Sequence, residues 1–190
     1  MNPTIVTAPA EEPLQLAEVK AHLRVSVADE DALIQRLIVA VRRKVEADCG
    51  LALVTQTLDA TYDRWPCDGT IRLPRGPVAS VTSVKYVSAV GVLSTLPGAQ
   101  YETDLTGAPA RIRPAYGYTW PTILPTLGAV VVRFVAGYGD RAAVPADIKA
   151  AMLMMIGHLY EHREDVADFQ VYHVPKAADW LLAPHKVHWF

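Results

Sequence analysis

The chain has 190 residues, of which 51% are hydrophobic and 20% charged, so it carries enough apolar mass for a buried core and is not a disordered tail. Eighteen basic against twenty acidic side chains leave a formal charge of −2, which excludes a protein whose main task is to coat nucleic acid. The two cysteines, Cys49 and Cys67, indicate neither a disulfide scaffold nor a zinc knuckle.

The opening Met-Asn-Pro-Thr-Ile-Val lacks the basic and apolar regions of a signal peptide, and no apolar run approaches the eighteen residues of a membrane span. The expectation is a protein made in the cytoplasm, with no membrane partner. A first short helix is predicted over Leu14 to Val25, with Pro13 in its first turn and Leu16, Val19 and Leu23 at helical spacing. A stronger helix follows, capped by Asp29 and ended by Gly50, with Arg42, Arg43 and Lys44 toward its negative end. Leu33, Ile34, Leu37, Ile38, Val41 and Val45 give it one broad apolar face that must pack on other helices.

After Gly50 the hydrophobic period changes from about 3.6 to 2. From Val54 to Val135 the chain is dense in threonine, valine, tyrosine, glycine and proline, which reads as a β-rich insertion. Strands are predicted at Thr55 to Tyr62, Thr70 to Leu73, Ser80 to Val87, near Leu93, near Tyr101, at Ala110 to Arg113 and at Ala129 to Phe134. Trp65-Pro66 and Trp120-Pro121 mark loops or edges, since the residue before proline is pushed out of the helical region and proline donates nothing to a ladder.

Helical spacing returns after Pro145, with Ile148, Ala151, Met152, Met155, Ile156 and Leu159 on one face as far as about Arg163. From Glu164 to Phe190 no sustained period is visible, yet this segment holds five of the fifteen aromatic residues, Phe169, Tyr172, Trp180, Trp189 and Phe190. So aromatic a segment needs a surface to lie on. The fold class is therefore α+β. Two N-terminal helices and one C-terminal helix form a base (residues 13–53 and 144–164), a β-rich domain is inserted at 54–140, and an extended tail occupies 165–190.

The sharpest catalytic pattern is His158-Leu-Tyr-Glu161-His162, which fits H-x-x-E-H. On a helix His158 and His162 share one face, as zinc ligands do, and Glu161 is placed as a base toward metal-bound water. A third ligand is missing from the residues that follow, which leaves Glu18 or Asp31 upstream as candidates. The plain alternative is a helix end where His162 and Arg163 meet terminal carbonyls. Met152, Met154 and Met155 read as core filler rather than a soft-metal surface. Gly137-Tyr-Gly139 lacks the spacing and lysine of a phosphate loop and reads as a turn. No G-x-S-x-G elbow is present, and Cys49 has no partner histidine by sequence. Arg72, Arg75, Arg111 and Arg113 make a basic face if their strands are neighbours, with pairing to carboxylates as the bland outcome.

Several stretches in order resemble one family. They are Leu16-Ala-Glu-Val-Lys-Ala-His-Leu-Arg-Val25 with Asp29-Glu-Asp-Ala-Leu-Ile34, then Gly50-Leu-Ala-Leu-Val-Thr-Gln-Thr57, the run from Ile71 to Tyr86, Phe134-Val-Ala-Gly-Tyr-Gly139, Val144-Pro-Ala-Asp-Ile-Lys-Ala-Ala151, and His158 to Glu164. Together they resemble the head-tail connector (adaptor) proteins of long-tailed double-stranded DNA phages, in the larger subgroup with a β-rich insertion, over about residues 13 to 164. Gene transfer agents carry similar adaptors.

The resemblance implies a structural protein without enzymatic role or cofactor, located in the neck of a virion or phage-like particle. It implies a homo-oligomeric ring, commonly of twelve copies, beneath the portal protein. The next connector or tail-completion (stopper) protein would dock on the opposite face, and double-stranded DNA would pass through the channel without sequence-specific binding. The C-terminal segment is carried over as the portal-binding part, through Phe169, Tyr172, Pro175, Trp180, Leu181, Leu182, Trp189 and Phe190. The near-neutral charge agrees, because each phosphate neutralised by lysine or arginine would retain passing DNA. Two other readings remain at this point, a zinc-dependent hydrolase built on His158 and His162 and a monomeric β-rich binding module.

Overall fold

The switch from helical to alternating periodicity is realised as two compact units in a computed structural model that describes residues 3–162 and 176–187. One unit comprises residues 11–54, 139–162 and 176–186; the other comprises residues 3–10, 55–138 and Val187.

The first unit is helical. Helix α1 spans Leu16–Leu23 and buries Val19, and Arg24 closes it in the left-handed region at φ 58°, so that the Val25 amide reaches the Lys20 carbonyl at 3.0 Å. Helix α2 spans Asp31–Cys49 and ends on Gly50 at φ 68°, the conformation glycine adopts without Cβ strain. Its N-cap is Glu30 rather than the expected Asp29, and no side chain caps it. Helix α3 spans Ala146–Glu161, with Pro145 immediately before its first turn. Ile34, Ile38, Val41 and Val45 of α2 pack toward Ile148, Ala151, Met152 and Ile156 of α3, all fully or nearly fully buried. Leu159, expected on the inner face of α3, is exposed, and so is Met154, whose expected place is the core.

Arg42, toward the negative end of α2, is 4% exposed, and its guanidinium donates to Glu46 at 2.9 Å and to Glu12 at 2.7 Å. Glu46 is fully buried and its second oxygen accepts the Leu53 amide at 3.0 Å. A buried carboxylate is tolerated only when its oxygens are matched in this way.

The segment read as an extended tail contains a fourth helix, α4 (Lys176–Leu182), packed on α3 through Ala178 and Leu182. Seven residues give too few repeats for a visible hydrophobic period, which is why the sequence showed none. His185 holds the end of this segment to the start of α3, its Nε2 lying 2.6 Å from Asp147 Oδ2.

The second unit holds two antiparallel sheets. A five-stranded sheet has the order β1 (Thr4–Thr7), β2 (Gln56–Tyr62), β8 (Val130–Ala136), β4 (Val78–Val87), β5 (Leu93–Leu96). A three-stranded sheet has the order β3 (Ile71–Arg72), β7 (Arg111–Pro114), β6 (Tyr101–Asp104). Strand β8 is central: it pairs with β2 without a break from Gln56↔Ala136 to Tyr62↔Val130, and with β4 on its other side, where two irregularities interrupt the ladder. Val130, Val132, Phe134 and Ala136 are buried in strict alternation, and Leu58 and Ala60 of β2 continue the same apolar face. Between them Arg133 and Asp59, register partners, form a bidentate pair at 2.8 Å. Only β1 has no counterpart in the sequence reading. All four of its residues are exposed, so it shows no alternation and is held as an edge strand by its pairing to β2.

The two Trp-Pro loops come together. The Trp65 and Trp120 rings stack at 4.4 Å with an interplanar angle of 6°, and each indole N–H donates to a carbonyl across the loops, Trp65 to Pro121 at 2.8 Å and Trp120 to Gly69 at 2.9 Å.

Replacing Glu46 with Ala is expected to cost about 3–5 kcal/mol, because it leaves Arg42 buried beside a single, half-exposed carboxylate and orphans the Leu53 amide. Lys44→Ala, which removes an exposed pair with Asp48, should cost no more than about 0.5 kcal/mol. Urea denaturation of the two variants measures both.

Candidate assembly surfaces

The His158-x-x-Glu161-His162 pattern lies at the end of α3 with the two imidazole rings 4.5 Å apart. His162 Nδ1 is 3.0 Å from the His158 carbonyl, and the His162 amide donates to that same oxygen, so this end of the helix is closed by its own residues. Of the two upstream ligand candidates, Asp31 is held by Lys20 at 2.6 Å and Glu18 stands exposed on α1. Among the described residues no group of three or more His, Cys, Asp or Glu side chains is arranged to hold a metal ion. Burial raises the Cys49 thiol above its ordinary pKa, which keeps it protonated and unreactive inside the helical unit.

The arginines of the small sheet do become neighbours, since β3 and β7 pair and Arg72 and Arg111 are register partners. Each is matched by a carboxylate: Arg72 by Asp68 at 2.6 Å, Arg111 by Asp104 at 2.6 Å, and Arg113 by Glu102. Arg75 also interacts within the chain. The Arg111 guanidinium, helped by Thr106, draws the Asp104 carboxyl down to about 2, and Arg72 likewise holds Asp68 below the ordinary range. The face is thus charged but locally neutral, which gives phosphates no net attraction. Tyr62 links this region to the large sheet, donating to the Arg72 carbonyl at 2.7 Å, and burial pushes its hydroxyl pKa well above normal. Gly137 and Gly139, at φ 136° and 130°, form the expected turn after β8.

The proposed tail residues separate into three groups. Phe169, Tyr172, Pro175, Trp189 and Phe190 lie outside the described residues. Leu182 is 3% exposed and is spent in the chain's own core, and Leu181 is half-buried. Trp180 projects from the outer side of α4 with 76% of its surface exposed, a large aromatic left to solvent where a partner would cover it. Sequence reasoning missed two further apolar sites. Val90, Val92 and Leu93 project from the β4–β5 hairpin, and Tyr116, Tyr118 and Leu127 from the loop between β7 and β8. Their signal was present in retrospect, as bulky apolar residues beside turn glycines Gly91 and Gly117, where a solvated turn would carry polar ones. Outward-facing positions on α2 form a shallow groove lined by Ala32, Gln35, Arg36, Val39, Ala40 and Arg43.

Outer turns that carry exposed apolar side chains suit contact with other proteins. The model of the phage gp6-like head-tail connector protein family matches residues 13–87. A protein in the neck of an empty gene transfer agent particle, solved with C6 symmetry, is 29% identical with a TM-score of 0.81, covering 100% of this chain and 97% of that one. One in the virion of a native gene transfer agent particle is 28% identical at a TM-score of 0.80, with the same coverage. A third, in the native neck solved with C12 symmetry, is 27% identical at 0.75, again with the same coverage. A search of curated proteins finds no match. Fold and matches together define a structural head-tail connector (adaptor) protein, as the sequence resemblance implied. Its likeness over the whole length is to proteins of gene transfer agent particles.

Trp180→Ala should change folding stability by less than about 0.5 kcal/mol, as expected of a surface position. Leu182→Ala should cost about 2–4 kcal/mol because it opens a cavity between α3 and α4. The thermal unfolding of the two variants separates an outward contact from an inward one. A pH dependence follows from Asp147, whose carboxyl is held below its ordinary range chiefly by the hydrogen bond to His185. A depressed carboxylate stabilises the fold above its unfolded value of about 3.9 and loses that contribution as pH falls through its folded value. Acid titration of urea stability should therefore show an additional loss below about pH 4 in the parent chain that Asp147→Asn lacks.

Proposed function

We propose that this chain forms a ring of twelve copies in the neck of a phage-like particle, seated beneath the portal protein. In this reading its C-terminal segment grips the portal and the opposite face receives the next connector or tail-completion protein. Double-stranded DNA passes through the ring. The observation that carries it is the match along the whole chain to neck proteins of gene transfer agent particles, whose necks were solved with C6 and C12 symmetry.

The physical chemistry supports a passive, load-carrying part. A ring arises when a head-to-tail contact repeats through a rotation that closes, and each copy then needs two different exposed contact surfaces. The hairpin, the loop after β7 and the outer sides of α2 and α4 supply exposed apolar positions beyond what folding of one chain consumes. Formal charge of −2 per copy leaves a ring mildly acidic, so DNA slides past without the counterion release that drives retention. Its role is structural rather than catalytic, which fits a histidine pair engaged at the end of α3.

Portal binding is best tested at Trp180. Removal of the whole tail would also remove Ala178 and Leu182 from the core of the helical unit and confuse misfolding with lost contact. Trp180→Asp is expected to leave a folded protein whose affinity for the portal falls by about 2 kcal/mol or more, the loss typical of a central aromatic anchor. Unchanged affinity in a pull-down titration would remove the segment's role. For the ring itself, particles lacking this gene should accumulate as DNA-filled heads without tails. Electron microscopy of normally tailed particles from that strain would refute the neck assignment.

A further inference from the structure

The arginines with acidic partners in this chain make a contrast with those that have none. Arg42, Arg72, Arg111, Arg113, Arg133 and Arg141 each meet an acidic side chain. Arg24, Arg64, Arg36 and Arg43 meet none among the described residues, and of these Arg36 and Arg43 share one face of α2. They stand seven residues apart, two helical turns, on the side of α2 turned away from the buried Ile34–Ile38–Val41–Val45 face, and they flank the small side chains Ala32 and Ala40 and the half-buried Val39. The result is a shallow groove with a small apolar floor and positive edges.

The same helical unit carries a complementary surface. On α1 the exposed residues are Ala17, Glu18, Ala21 and His22, with Ala17 and Ala21 opposite the buried Val19 and Glu18 beside them. Glu18 forms no ion pair among the described residues and has the methyl groups of Ala17 and Ala21 on one side and His22, whose ring lies by Gly157 of α3, on the other, so the Ala17–Glu18–Ala21 side makes a narrow ridge that another helix can approach closely. At a rise of about 1.5 Å per residue the groove from Ala32 to Arg43 is about 17 Å long and the eight residues of α1 about 12 Å, so the ridge fits inside the groove. Alanines at a crossing let helix axes come to about 8 Å.

We propose that the Ala17–Glu18–Ala21 ridge of one copy seats in the α2 groove of the next, with Glu18 between Arg36 and Arg43. The proposal rests on the ring reading above and deepens it by naming the residues that set the direction and register of the contact. Donor and acceptor surfaces lie on different helices of one unit, so each copy gives one ridge and accepts one, the head-to-tail arrangement that a closed ring requires. Two short helix faces bury less than the 1,200–2,000 Å² of a typical stable interface. Their task is selecting the register, with the apolar loops supplying further area, and charge complementarity is suited to that task.

The test is a charge swap in full-length protein assembled into particles, with incorporation per capsid measured by immunoblot and folding checked by circular dichroism. Glu18→Arg alone, and Arg36→Glu with Arg43→Glu, should each lower incorporation by about tenfold or more, as juxtaposed like charges do. The triple variant should recover to within about threefold of the parent, because the reversed pair attracts again. Normal incorporation of both one-sided variants overturns the proposal, and so does a folded triple variant no better than either. Particles of the Arg36→Glu, Arg43→Glu variant that incorporate it normally but retain or eject DNA abnormally would make the groove a DNA-facing surface and overturn it as well. Absence of the parent chain from particles would defeat the neck reading itself, and this inference with it.

Discussion

A single buried carboxylate organises the helical unit. Glu46 is fully enclosed near the end of α2, and an ionised group there is stable only if both oxygens are satisfied. One oxygen takes the Arg42 guanidinium and the other takes the Leu53 amide, while Arg42 reaches on to Glu12. These contacts fix three things at once: the strand of chain leading into α1, the last turns of α2, and the course of the backbone after Gly50. The apolar run Leu51, Ala52, Leu53 and Val54 is then carried inside rather than along the surface. Hydrophobic burial supplies the bulk of the stabilisation, but it is non-directional. The charged triad is what gives the exit from α2 one position.

The β-rich unit uses a different device. Strand β8 sits between β2 and β4, so its backbone groups are paired on both sides, and its alternate residues build the apolar face. The Trp65–Trp120 stack then ties together two loops more than fifty residues apart in sequence. A sheet with both a central ladder and a closed loop crossing can carry exposed apolar hairpin tips without losing register.

Function in a connector lies in what is left over after folding. Among the described residues the leftover groups include Trp180 on α4, the tips of the β4–β5 hairpin and the loop after β7, and the charges of Arg36, Arg43 and Glu18, which form no ion pair there. The histidine pair, the methionines and the arginines of the small sheet attract notice in the sequence, but Met152, Met155 and the arginines are consumed by packing or pairing, and the histidine pair is engaged at its own helix end. Leu182 shows the same division within one short helix, buried while Trp180 two residues earlier points outward.

By itself the sequence determined the class of each long element, because hydrophobic periodicity and turn residues act locally: Gly50 ends α2, Pro145 precedes α3, and seven strands stand where alternation or β-branched runs occur. It also carried the family resemblance, which resides in the order of motifs from α1 to α3. Tertiary structure alone decided the inward turn of Arg42, the pairing of β1, the docking of α4 and which arginines are neutralised. Each of those depends on a partner remote in the chain, such as Glu12 thirty residues before Arg42 or Asp59 seventy-four before Arg133. A charge is buried or exposed according to what stands opposite it in space, and no local pattern encodes that.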